Sequence, residues 1–180
     1  MSTRRIVTGH DTRGHSVFAQ DGPAPRDTHF QHVPGFRTCL LWGTEPGGSV
    51  PAQPQDPTSE TSSWVPAPGG TRCMVITFPP DSVMMAPDFD AAAAGMEYLH
   101  KLPGLAECFE ADSPGMHTTA SVDYGVLLSG ELHLELDAGA TRKLEPHDVV
   151  VQNGTRHAWR NRSTAPATIM FVLVGVHPRA

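Results

Sequence analysis

The stretch Asp123-Tyr-Gly-Val-Leu-Leu-Ser129-Gly130-Glu-Leu-His-Leu-Glu-Leu-Asp137 limits the possible folds more than any other part of the chain. Leu132, Leu134 and Leu136 alternate with His133, Glu135 and Asp137, the period-2 pattern of a strand buried on one face. Read as a hairpin turning at Ser129–Gly130, it sets Leu127 opposite Leu132, Gly125 opposite Leu134 and Asp123 opposite Leu136. Cross-strand partners share a face. Asp123 is therefore expected to point inward with the leucines, and by the same parity so are Ser121, Thr119 and His117. A carboxylate and an imidazole are costly inside unless paired, hydrogen-bonded or metal-bound. Taken alone, Asp123 could simply accept a hydrogen bond near a strand end.

The remaining sequence also reads as short strands. Seventeen glycines and 17 prolines in 180 residues argue against a helical bundle. A hairpin is expected from 5–8 and 16–20, and further strands at 36–42, 71–78, 119–128, 131–137, 141–144, 148–152, 157–161 and 167–176. The single good helical stretch is 88–102. Asp88 or Asp90 caps it, Met96, Leu99 and Leu102 recur at helical spacing, and Pro103–Gly104 ends it. Residues 43–70, crowded with proline and glycine, are expected to form the most mobile internal loop.

Thirteen Lys and Arg against 19 Asp and Glu give a net charge of −6, with no basic stripe for a phosphate backbone, so nucleic acid is not an expected partner. No run approaches a membrane span, and the start of the chain has no apolar leader, so no membrane is expected either. Three cysteines (Cys39, Cys73, Cys108) without a CxxC pair suit reduced thiols and a cytoplasmic location.

The ten histidines are the first functional signal. In Arg156-His157-Ala-Trp159-Arg160-Asn161-Arg162 the arginines take one face of a strand, which turns His157, Trp159 and Asn161 inward. Two inward histidines and an inward aspartate in one small β domain point toward a metal site. Cys108, which with His100 flanks the end of the helix, is read as a small hydrophobe; Glu97 and Tyr98 could cover the mouth of the β domain, although a helix normally shows such residues to solvent. His10, His15, His29, His32 and the outward His133 are read as surface residues.

At these residues the chain resembles the cupin superfamily. His117-x-Thr119, three residues, Asp123, six residues and Gly130 follow the spacing of the first cupin motif. Gly154-Thr-Arg-His157-Ala-Trp-Arg-Asn161 follows the end of the second, and Leu144-Glu-Pro-His-Asp148 the turn before it. Thr119 stands where the motif has a histidine, Asp123 where it has glutamate, Gln152 where it has proline, and Pro146–His147 where a Gly-Asp turn normally begins. The resemblance implies a mainly β fold, a double-stranded β-helix or jelly-roll barrel. One short helix is expected outside it, with an N-terminal arm over 1–71 and the barrel over 72–180. It implies a divalent ion (Fe, Mn, Zn or Ni) on His117, Asp123 and His157, with Thr119, Trp159 and Asn161 lining the cavity. Outside the resemblance, the 43–70 loop is expected to close over the barrel mouth with Trp64 as an apolar lid contact. The expected function is Lewis-acid lyase, decarboxylase or isomerase chemistry on a small organic metabolite. The alternatives are Fe(II)-dependent dioxygenation and non-catalytic binding of a small molecule. A long arm ahead of a barrel with exposed edges suggests a homodimer.

Overall fold

Strand β11 (Ala167–Gly175) is the spine of the molecule. In the computed structural model, which describes residues 2–50 and 56–178, its residues alternate between buried and half-buried along its whole length. Ala167, Ile169, Phe171 and Leu173 face the interior, as the period of two requires. On one side it pairs with β5 (Thr71–Phe78), and on the other with β6 (Ser121–Ser129). With β3 (Arg26–His29), β4 (Arg37–Thr44) and β9 (Val149–Asn153) these strands form a six-stranded antiparallel sheet in the order β3-β4-β5-β11-β6-β9. A second sheet contains β7 (Leu132–Glu135), β8 (Thr141–Leu144) and β10 (Ala158–Arg160), in the order β10-β7-β8. Leu132 and Leu144 of this sheet join Leu40, Met74, Ile76, Leu127, Ile169 and Phe171 of the larger one in a single core.

The expected hairpin at Ser129–Gly130 does not form, because β6 pairs with β11 and β9, whereas β7 pairs with β8 and β10. The turn instead carries the chain from one sheet to the other. Gly130 has φ 79°, and a Cβ there would meet the Ala167 backbone at 2.6 Å, so only glycine fits this corner. Asp123 still points inward, because the inner faces of both sheets enclose the same interior. Of the expected core leucines Leu127 and Leu132 are fully buried and Leu134 half-buried, while Leu136 lies at the surface.

The arm does extend the sheet. β4 pairs with β5, β3 pairs with β4, and Arg37 binds Asp27 between them (Nε to Oδ1, 2.6 Å). Ahead of them, β1 (Arg4–His10) and β2 (Ser16–Pro23) form a separate two-stranded hairpin.

Residues 51–55 of the loop expected to be mobile lie outside the described residues. From Asp56 onward the segment is tied down. It contains the short helix α1 (Pro57–Glu60), Trp64 donates its amide N–H to Pro103 O (2.8 Å), and Gly69 donates to Gly175 O (2.9 Å). Trp64 is 1% exposed, a core residue under the Arg26 guanidinium and not a lid contact. The main helix, α2 (Ala91–Lys101), is capped by Asp90, whose side chain accepts from Ala93 N at 2.9 Å. It buries Ala94, half-buries Tyr98 and leaves Met96 and Leu99 exposed, the opposite of what their hydrophobic spacing suggests. No helix among the described residues is long and apolar enough to cross a membrane.

Candidate functional site

Helix α2 lies over the open end of the barrel and helps enclose a cavity of about 980 Å³. The walls are largely apolar and aromatic, with Met74, Phe89, Tyr98, Phe109 and Phe171 among them. His117, Thr119, Asp123, His157 and Trp159 also line it. Asn161 does not. It is a strand-end hydrogen-bonder, donating to Phe78 O (3.0 Å) and Ala165 O (2.8 Å) and accepting from Ser163.

Backbone geometry brings the two histidines together. His117 and His157 sit directly opposite each other in an antiparallel bridge, each donating its amide N–H to the other's carbonyl (2.9 and 3.0 Å). Residues so paired project to the same face, and the two rings lie 4.2 Å apart between centroids. Phe109 packs on His117 (4.8 Å) and Trp159 on His157 (5.7 Å), so the imidazoles sit within a run of aromatic rings.

The tautomers follow from the partners. His117 Nδ1 lies 3.0 Å from Gly115 O, and His157 Nδ1 2.9 Å from Thr155 O. A carbonyl can only accept, so each Nδ1 carries a hydrogen, and in the neutral ring Nε2 keeps the lone pair. Both rings are held neutral. Burial depresses His117, against the pull of the Gly115 carbonyl and Glu110. Burial, then the neighbouring His117, lowers His157 to about 4.

Asp123 comes to the cavity from β6. Burial raises its carboxyl to about 6, opposed by the Ser121 and Thr119 hydroxyls, and its Oδ1 is buried without a hydrogen-bond partner. Thr119, in the position of the missing imidazole, accepts from Ser121 Oγ at 2.9 Å. Directly opposite Asp123 on β9 stands Gln152, whose Oε1 accepts from Thr155 while its Nε2 is buried and unpartnered. Gln152 was visible in the sequence only as a departure from the cupin motif. Phe109 had no sequence signal tying it to the cavity. Tyr98, expected at the solvent face of its helix, lines the cavity, and burial and Glu97 push its phenol up.

The donors are of the right kinds for a divalent ion: two imidazoles of fixed tautomer and a carboxylate with an unpartnered oxygen. Among the described residues, however, no three His, Cys, Asp or Glu side chains form a metal-holding group. His117 and His157 are a close pair, and Asp123 lines the same cavity without completing a three-donor cluster. His133, expected at the surface, is half-buried with an unpartnered Nδ1, outside the cavity lining.

No protein-family model matches the chain. Over 178 residues it is 35% identical to phomopsin biosynthesis cluster protein C' of Diaporthe leptostromiformis, a match spanning 97% of this chain and 79% of that protein. It is 25% identical over 179 residues to the cupin-domain-containing oxidoreductase srdB of Neurospora crassa, spanning 97% and 74%. The Schizosaccharomyces pombe Cnp3 cupin domain superposes with a TM-score of 0.47 at 8% identity, over 97% of this chain and 89% of that one. The chain belongs to the cupin superfamily.

Proposed function

We propose that this cupin is an enzyme for an apolar organic metabolite bearing a hydroxyl or carbonyl group. It would move a proton, or break a C–C or C–O bond, beside that oxygen, as a lyase, decarboxylase or isomerase does. The observation that carries this reading is the pairing of His117 and His157 in a largely apolar cavity, each with Nδ1 committed to a backbone carbonyl. Each Nε2 is then the atom that accepts a substrate hydroxyl hydrogen or takes up a proton. Asp123 Oδ1 is a second proton-handling atom in the same cavity, and the aromatic walls strengthen polar contacts by keeping water away. The cavity volume suits a ligand of drug-like size. A divalent ion, if bound, would be held by the His117 and His157 pair, without Asp123 as a third close donor, and would polarise the substrate oxygen as a Lewis acid. The names of the relatives, proteins of biosynthesis clusters, support an organic metabolite as substrate.

Oxidation of the same class of compound is a second reading. It is favoured by the oxidoreductase name of the srdB relative. Incubating the protein, as purified and after loading with divalent metal, with alkyl aryl ketones and hydroxyketones in D₂O separates the readings. The proposal predicts deuterium at the carbon beside the carbonyl, or cleavage there, reduced about 100-fold or more in His157→Ala. Oxygen consumption with an oxidised product would favour the second reading. Binding of these compounds with no conversion would overturn both and leave a binding module.

A further inference from the structure

The carbonyl that accepts from each histidine is itself held by a side chain from elsewhere in the fold. Thr155, whose carbonyl takes the His157 Nδ1 hydrogen at 2.9 Å, lies in the turn between β9 and β10. It is exposed, and its hydroxyl ties it inward by donating to Gln152 Oε1 at 2.6 Å. Gln152 is 4% exposed, and its Nε2 has no partner. A buried amide with one half unsatisfied is costly for stability. What Gln152 contributes is its grip on Thr155.

The second support comes from β10. The Gly115 carbonyl, 3.0 Å from His117 Nδ1, belongs to the loop over 110–116, and Gly115 itself has φ 82°. Arg160 pins this loop. Its Nη1 donates to Pro114 O at 2.8 Å, and a Cβ on Gly115 would lie 2.9 Å from the same nitrogen, so the guanidinium rests on the glycine. Glu135 on the neighbouring strand β7 fixes Arg160 in turn, accepting from its Nε at 2.6 Å.

We propose that Gln152 and Arg160 are positioning residues, each acting on one histidine: Gln152 on His157 through the Thr155 carbonyl, and Arg160 on His117 through the Gly115 carbonyl. The inference rests on the proposed function in one respect, that the Nε2 lone pairs do the chemistry. A neutral imidazole carries its hydrogen on either nitrogen, and only the Nδ1–H form offers a lone pair at Nε2. Holding that form requires each acceptor carbonyl to stay within about 0.5 Å of its place. The two supports share no residue, so the two rings are set independently.

Nitrogen-detected NMR of the histidine side chains, on the full chain at neutral pH with no ligand added, tests this in Gln152→Met and Arg160→Met. In Gln152→Met, His157 should become a mixture of tautomers, its Nδ1 and Nε2 shifts moving toward each other. Its Nδ1–H should exchange with solvent about tenfold faster, the change expected when one hydrogen bond is weakened. His117 should keep its wild-type signals. Arg160→Met should do the reverse. Thermal unfolding followed by circular dichroism checks that each variant is folded. Thr155→Val, at an exposed position, and Glu135→Ala, which releases Arg160, interrupt the same two supports and should reproduce the two patterns if either Met variant does not fold. A folded variant that leaves its own histidine in one tautomer with wild-type exchange, or that disturbs both rings alike, overturns the assignment. No substrate is involved, so this failure is distinct from a failure of the turnover experiments with ketones.

Discussion

The two ends of the cavity break the ordinary rule of burial in opposite directions. At the floor, polar groups are hidden: His117, Asp123 and His157 are 7%, 6% and 2% exposed. At the mouth, apolar groups are displayed: Met84, Met85 and Leu99, all cavity-lining, are 40%, 80% and 52% exposed. Stability alone favours neither arrangement, since buried carboxyls cost free energy and exposed methionines contribute little. The ligand proposed above, an apolar molecule with one polar end, would reconcile them. It would cross a flexible methionine-lined entrance and meet the buried histidines and Asp123 at the bottom.

The comparison is tested most strongly at Asp123. Asp123→Leu should reduce turnover about 100-fold or more. It should also raise unfolding free energy by roughly 1–2 kcal/mol, because an apolar side chain replaces a buried carboxyl whose Oδ1 has no hydrogen-bond partner. Urea titration at neutral pH measures the gain. A loss of stability would mean that Asp123 is structurally paired and that the floor is not polarised for a ligand.

The pH dependence of stability sharpens the same point. Asp123 is raised above its unfolded value, so its contribution is fully present below pH 4 and is lost as pH rises toward 6. His157 is depressed to about 4, so its contribution is present above pH 6.5 and is lost as pH falls toward 4, with His117 acting in the same direction. Each of the two larger effects is worth up to about 3 kcal/mol, and across pH 4–6 they oppose each other. Relative to wild type, Asp123→Asn should make stability rise more steeply with pH, and His157→Gln should make it rise less steeply or fall. Parallel curves for all three proteins would show that these groups titrate as they do in the unfolded chain.

Smaller effects belong to the mouth and the surface. Met85→Gln and Leu99→Gln should each raise the KM for an apolar substrate about threefold to tenfold with kcat unchanged, on the order of 1 kcal/mol of uniform binding. A change in kcat alone would place these residues closer to the chemistry. His147 occupies a turn at φ 78°, where the cupin pattern has a Gly-Asp turn. His147→Gly should stabilise the fold by about 0.5–1 kcal/mol, with no effect on activity.

The floor was legible in the sequence because side-chain parity along a strand survives errors in pairing. The supposed hairpin at Ser129–Gly130 is absent, yet Asp123 and Leu127 face inward, since both sheets enclose one interior. The arginine and histidine alternation placed His157 correctly for the same reason. The mouth was not legible. Spacing assigned Met96 and Leu99 to the buried face of α2, but the helix turns Ala94 and half-buried Tyr98 inward, and Leu99 is exposed at the entrance. Amphipathic pattern cannot distinguish an apolar residue meant for the core from one displayed to a ligand. Proline and glycine marked residues 43–70 as loop without showing that Trp64 fills the core. The polar strand β3, Arg-Asp-Thr-His, had no apolar alternation to reveal it, being held by its ladder to β4 and the Arg37–Asp27 pair.

The most direct test of the polar floor is nitrogen-detected NMR of the histidine side chains at neutral pH. His117 and His157 should both be neutral, with hydrogen on Nδ1 and a lone pair on Nε2. Addition of an apolar ketone or alcohol should shift both Nε2 signals and leave that of His133 unchanged. Rings found protonated, or carrying hydrogen on Nε2, or Nε2 signals that no such ligand moves, would contradict the account.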